Sequence, residues 1–179
     1  MEKTVSDIKR IAILGAESTG KTTLSRSLAM RYQSVWVPEY AREYMATHSQ
    51  EYSAEEIVKM AKLQFAQEQE QLRKANRFLF VDTELIIAKV WCEDVFGACP
   101  RWISEQLQPT HYDLYLLTAN DLPWVADPVR MNSQRRDYFF NWYKRELDQL
   151  GFDYAVINGR YEQRLLNAVK AIEKHFGES

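Results

Sequence analysis

The densest chemistry in this sequence lies near its amino terminus. Gly15-Ala16-Glu17-Ser18-Thr19-Gly20-Lys21-Thr22 matches G-x-x-x-x-G-K-[ST] without a gap. Glycines at 15 and 20 let the backbone turn where a Cβ would clash, so that successive N–H groups face phosphate oxygens. The helix that follows, starting with Lys21, Thr22 and Thr23, adds its dipole to the same anion site. Lys21 reaches β- and γ-phosphates, and the Thr22 hydroxyl is placed to ligate Mg²⁺. This is a phosphate-binding loop for a nucleoside triphosphate with Mg²⁺, and it leaves the reaction open.

Four further clusters sit where strands should end. Asp82 closes the run FLFVD and is a candidate for the metal's water shell, or alternatively the N-cap of the next helix. Glu39, in VPEYAREY, follows a second short strand and is suited to accept a proton from a hydroxyl attacking the γ-phosphate. Arg42 is placed to hold an anion or to pair with Glu39 or Glu43; the plain alternative is a solvated helix start. After the fourth strand comes Asp121-Leu-Pro-Trp124-Val-Ala-Asp127-Pro-Val-Arg130, then Asn132-Ser-Gln-Arg135-Arg136. Two prolines and several arginines suit a lid, about residues 121–137, that closes on phosphates and excludes water. Trp124 in such a loop either stacks on a planar ring or packs on the core. Asn158, before Gly159, either borders a nucleobase or belongs to an ordinary tight turn.

These residues need a frame. RIAILG, SVWVPEY, FLFVD, DLYLLTA and FDYAVING read as short strands. Helices are expected over KTTLSRSLAMRY, AREYMATH, residues 53–76, ELIIAKVWCEDVF, the segment near Trp102, RDYFFNWYKRELDQL (closed by Gly151) and EQRLLNAVKAIEKHF. Ser53 and Glu56 form a capping box, and Ile57, Met60, Ala61, Phe65 and Leu72 give that helix its apolar stripe. Strands alternating with helices predict an α/β fold: five parallel strands with helices on both faces, in three layers. Ligands then bind at the carboxyl ends of the strands.

Bulk properties exclude several classes. The chain has 179 residues, no linker-like break and no repeat, and fits one domain over residues 1–179. A net charge of −2 with scattered basic residues argues against a nucleic-acid binder. Two cysteines and three scattered histidines make neither a disulfide scaffold nor a zinc site. No apolar stretch is long enough for a signal peptide or a membrane span, so a cytoplasmic protein without membrane partners is expected. A guanine-reading N/T-K-x-D is missing after the fourth strand, where the chain reads TAND, which weighs against a GTPase switch. A motor of the AAA type needs a second subdomain for which the chain is too short.

With GAESTGKTTL, EYAREY, FVDTE, the uncommon PWVADPVR and NGRYEQR all present, the chain resembles the ribosylnicotinamide kinase domain of bacterial NadR proteins, from Arg10 to about Phe176. The resemblance implies a P-loop kinase fold and transfer of phosphate from ATP, with Mg²⁺, to the 5′-hydroxyl of nicotinamide riboside. It places Glu39, Tyr40 and Arg42 among substrate contacts, and Trp124 and Asp127 where the riboside pocket meets the lid. It gives Arg130, with Arg135 or Arg136, to the transferring phosphoryl group. Either Glu39 or Asp82 is the base, with Glu39 favoured because Asp82 is occupied with the metal. NadR also carries an adenylyltransferase with an H-x-G-H type motif; no two histidines lie close here, so a stand-alone kinase lacking that activity is expected. A kinase of another nucleoside or small hydroxyl compound, and a non-catalytic ATP sensor, are the alternatives.

Overall fold

Apolar runs bounded by turn residues become the strands. β1 (Lys9–Leu14), β2 (Val35–Val37), β3 (Phe78–Asp82), β4 (Leu114–Thr118) and β5 (Tyr154–Ile157) form one parallel sheet in the order β2-β3-β1-β4-β5. The computed structural model describes residues 7–47, 52–107, 112–126, 130 and 132–177. The helices are α1 (Lys21–Arg31), α2 (Tyr40–Thr47), α3 (Ala54–Leu72), α4 (Leu85–Phe96), α5 (Arg101–Gln106), α6 (Arg136–Leu150) and α7 (Tyr161–Phe176), with a 3₁₀ turn at Ser133–Arg135.

The sheet is covered on both faces, and β1 shows how. Ile11 and Ile13 join a core with Leu24 and Leu28 of α1 and Ala168 and Ile172 of α7. Ala12 and Leu14 join the other core, with Ile57 and Met60 of α3, Ile86 of α4 and Phe139 of α6. Each leucine, isoleucine, methionine or phenylalanine so removed from water contributes about 1.5–3 kcal/mol. The three-layer α/β sandwich expected from alternating strands and helices is the one the chain builds.

Two local expectations need correction. The helix over residues 53–76 has its capping box, with Glu56 N–H donating to Ser53 Oγ at 3.3 Å and Ser53 N–H to Glu56 Oε2 at 2.8 Å. It ends at Leu72, not at Asn76. Lys74 and Ala75 bond back three residues, to Gln71 and Leu72, and Arg77 takes a left-handed φ of 59°, which turns the chain into β3. Asp82 is not a helix cap. Glu84 caps α4, its Oε1 accepting from Ile86 N–H at 2.8 Å, and Asp82 stays the last residue of β3.

Register fixes the working edge. Ile13 aligns with Asp82, Val37 with Val81, Leu14 with Leu117 and Thr118 with Ile157. The segments after all five strands therefore leave from the same edge of the sheet.

Candidate active site

Gly15 takes a φ of 153°, and a Cβ there would stand 2.1 Å from Thr118 Oγ1 on β4. The glycine is what lets the loop lean on the neighbouring strand. The Thr118 hydroxyl reaches the Leu14 carbonyl at 3.1 Å and shares a 2.7 Å bond with Thr19 Oγ1, which also lies 2.8 Å from Ala16 O. Gly20, at φ 77°, is the N-cap of α1. Lys21 Nζ donates to Ala16 O at 2.9 Å, so its ammonium lies over its own loop.

The two predicted carboxylates meet at this loop. Thr22 Oγ1 donates to Asp82 Oδ2 at 2.5 Å, joining the first turn of α1 to the end of β3. Burial pushes the Asp82 carboxyl above its ordinary range, while Lys21 and the hydroxyls of Thr22 and Thr83 pull it back. Glu39 is raised too, first by burial and then by Asp82, against Lys21 and Arg42. Glu39, Lys21, Asp82 and Arg42 thus share one electrostatic environment. Tyr40 opens α2 with its N–H on Gln64 Oε1 at 2.7 Å.

The lid residues lie against the loop. Ser18 Oγ accepts from Val125 N–H at 2.8 Å and from Arg130 Nη1 at 3.4 Å, and Arg130 Nη1 also donates to Val125 O at 2.7 Å. Asn132 N–H donates to Glu17 Oε2 at 2.8 Å. Arg136 donates to Leu122 O and Ser18 O. Arg135 makes a two-pronged pair with Asp94 of α4, at 2.5 and 2.9 Å, over the rings of Tyr138 and Phe139. Trp124 is half-buried and does not line the cavity that opens over the loop. Asn158 is held by Asn167, through bonds to its carbonyl and side chain, and is likewise outside it. Asp127 lies outside the described residues.

A cavity of about 410 Å³ opens over the loop, lined by Gly15, Lys21, Thr22, Glu39, Arg42 and Arg130, among others. Four aromatic residues also line it: Tyr52, Trp91, Phe139 and Tyr143. Trp91 Nε1 donates to the Tyr52 hydroxyl at 2.9 Å, with the rings edge to face.

Residues 10–164 match the family described as "AAA domain". The chain belongs to that family. The trifunctional NAD biosynthesis/regulator proteins NadR of Salmonella typhimurium and Escherichia coli are 27% identical to it over 180 residues. That match takes in 96% of this chain and 43% of theirs, so the chain spans less than half the length of these curated relatives. A crystal structure of NadR in complex with NAD and AMP-PNP superposes with a TM-score of 0.75 at 25% identity, over 98% of this chain and 51% of that one. NadR in complex with NR gives 0.75 at 24%, over 98% and 53%. Deoxyadenosine kinase from M. mycoides with bound dATP, at 12% identity and a TM-score of 0.57 over 92% and 99%, shares the fold. The resemblance to the NadR kinase domain read from the sequence is borne out.

Within this AAA-domain chain, sequence reading passed over several residues at the site. Gln64 and Glu68 occupy stripe positions of α3 between Ala61 and Leu72 and are buried, whereas Phe65, assigned to the stripe, is half-buried. Polar residues at core-facing positions were the available signal. Gln64 accepts from Tyr40 N–H and donates to the carbonyls of Asp82 and Thr83 at 3.4 Å, tying the Glu39 turn to the Asp82 turn. Burial pushes Glu68 up to about 7 and Glu84 up to about 8. Arg164 of α7 reaches the carbonyls of Thr19, Ala119 and Gly159 and pairs with Asp121, whose other oxygen accepts from Gly159 N–H. No periodicity announces such a residue, because its partners come from three distant turns. Among the described residues, no helix is long and apolar enough to cross a membrane.

Proposed function

We propose that the chain is a kinase that transfers the γ-phosphoryl group of ATP to the 5′-hydroxyl of nicotinamide riboside, giving nicotinamide mononucleotide. The observation that carries this is a single cavity whose wall includes the phosphate loop, Glu39 and the aromatic faces of Tyr52 and Trp91. Phosphate donor, proton acceptor and a surface for a planar ring then belong to one space. The likeness to NadR, of which one structure holds NR and another AMP-PNP, supports the choice of donor and acceptor.

The hydroxyl of Thr22 and the carboxylate of Asp82 are hard oxygen donors 2.5 Å apart, which fits Mg²⁺ held through few protein ligands and the phosphates. Thr22 and Asp82 would hold the ion, which when bound neutralises charge on the β- and γ-oxygens. Glu39 takes the proton of the 5′-hydroxyl as that oxygen bonds to the γ-phosphorus. The bond from the γ-phosphorus to the bridging oxygen breaks, and ADP leaves. Lys21 exchanges the Ala16 carbonyl for phosphate oxygens, and Arg130 meets charge developing on the transferred group. The protein's contribution is alignment and electrostatics.

The test is ADP release by the protein with Mg-ATP, with and without nicotinamide riboside, the acceptor being followed by mass. Stimulated release with a gain of one phosphate on the riboside supports the proposal. Release that ignores nicotinamide riboside but responds to another nucleoside changes the acceptor. A flat response to every nucleoside leaves a nucleotide sensor.

A further inference from the structure

Gln64 of α3 is 8% exposed and lies among the buried positions Met60, Ala61 and Glu68. An amide there loses its water, and only hydrogen bonds recover that cost. Its whole amide serves two turns. Oε1 accepts from the N–H of Tyr40, the residue directly after Glu39, at 2.7 Å. Nε2 donates to the carbonyls of Asp82 and Thr83, at 3.4 Å each. Thr83 holds a left-handed φ of 72°, a region that β-branched residues seldom occupy. Such a conformation persists only where its surroundings fix it. Here Thr83 N–H donates to Ile13 O at 3.2 Å, and Gln64 holds the carbonyl. The turn so held leaves Asp82 Oδ2 on the Thr22 hydroxyl. Strand pairing does not do this work for Glu39: the pairing of β2 with β3 ends at Val37 and Val81, two residues short of Glu39.

We propose that Gln64 is a positioning residue for phosphoryl transfer: a neutral strut that fixes the Glu39 turn against the Asp82–Thr83 turn and so sets where the base stands relative to the metal-side carboxylate. The proposal rests on the reading of the chain as a kinase with Glu39 as base, and deepens it. Gln64 does not line the cavity over the loop, so it acts through the two turns rather than on substrate. The two carboxylates repel each other, and a charged strut between them would be drawn to one and pushed from the other. An amide avoids this, since it accepts on one side and donates twice on the other without charge. Catalysis by alignment is sensitive to such a support: a misplacement of about 1 Å caused away from the chemistry can cost about 100-fold.

The experiment is a double-mutant cycle on kcat, by ADP release with nicotinamide riboside, using the unmodified chain, Gln64→Met, Glu39→Gln and the double variant. Methionine keeps the length of the side chain and removes every bond. In the unmodified background Gln64→Met is expected to lower kcat at least ~10-fold. With Glu39 already replaced, the same change should cost about twofold or less, because the group it positions is gone. Affinity for ATP without Mg²⁺, measured by binding, should not change, since none of the three Gln64 bonds reaches the phosphate loop. If Gln64→Met fails to fold, Gln64→Glu enters the same cycle; it keeps the acceptor for Tyr40 N–H and at most one of the two donor hydrogens. An equal loss of kcat in both backgrounds overturns the proposal and leaves Gln64 a general support of the fold. So does a variant as fast as the unmodified chain, with the kinase reading intact in either case. No turnover of any nucleoside by the unmodified chain overturns the kinase reading and this proposal together.

Discussion

Lys21 and Glu39 carry opposite charge in one cavity, and their removal should fail in different ways. Lys21→Ala is expected to lower kcat by at least ~100-fold, the scale of losing one preorganised electrostatic contact. Steady-state rates within tenfold of the parent would remove Lys21 from the transition state. Glu39 must be ionised to take a proton, and burial beside Asp82 holds its carboxyl above the usual range. Activity therefore falls as pH drops through that raised value, giving an acid limb above the ordinary carboxylate range. In Glu39→Gln the residual kcat/KM should lose that limb; an unchanged limb would assign it to another group. The phosphate loop was legible because its spacing is fixed by phosphate geometry and lies in one stretch of chain. For Trp124 the sequence left ring stacking and core packing open; it does not line the cavity over the loop, whereas Trp91 of α4 does, and an aromatic inside a helix looks like core until the neighbouring elements are in place.

Elements were read better than the struts between them. Periodicity marks which face of a helix is buried, and capping residues mark where it starts, so α3 and its Ser53–Glu56 box were accessible from sequence. Arg164 was not, since it acts by joining the phosphate loop, the β4 end and the β5 end. Its guanidinium is 4% exposed and its partner Asp121 37%. Arg164→Met should cost roughly 2–3 kcal/mol, less than for a fully enclosed pair because Asp121 keeps contact with water. Thermal melting should drop by about 5–10 °C, with a higher KM for ATP as the loop loses its tie at Thr19. A variant that melts like the parent would reduce Arg164 to a surface role.

At the scale of the whole molecule, buried acids make stability depend on pH in an unusual direction. An unfolded glutamate releases its proton near 4.5, whereas folded Glu68 keeps it to about 7 and folded Glu84 to about 8. Between those limits the folded chain binds protons that the unfolded chain has lost. Stability accordingly declines as pH rises from about 5 to 8, by up to about 1.4 kcal/mol per pH unit for each group, and levels off above. Urea midpoints measured across this range should fall, and the slope should flatten in the double variant Glu68→Gln/Glu84→Gln. Midpoints that climb toward pH 8 would show that other groups dominate. The fold class was legible because alternation of strands and helices is a global pattern; the buried acids were not, since their energetics exist only once α3 and α4 face each other.

Gly15 leans on Thr118, more than one hundred positions further along the chain. A ribosome delivers the loop early and its support late. While the chain is being made, the phosphate loop is complete in sequence yet has no β4 to rest against, and β3, which brings Asp82 to Thr22, also emerges after it. Nucleotide affinity should therefore switch on late in synthesis, after residue 118 has cleared the exit tunnel, and capture of stalled nascent chains on an ATP resin would mark that moment.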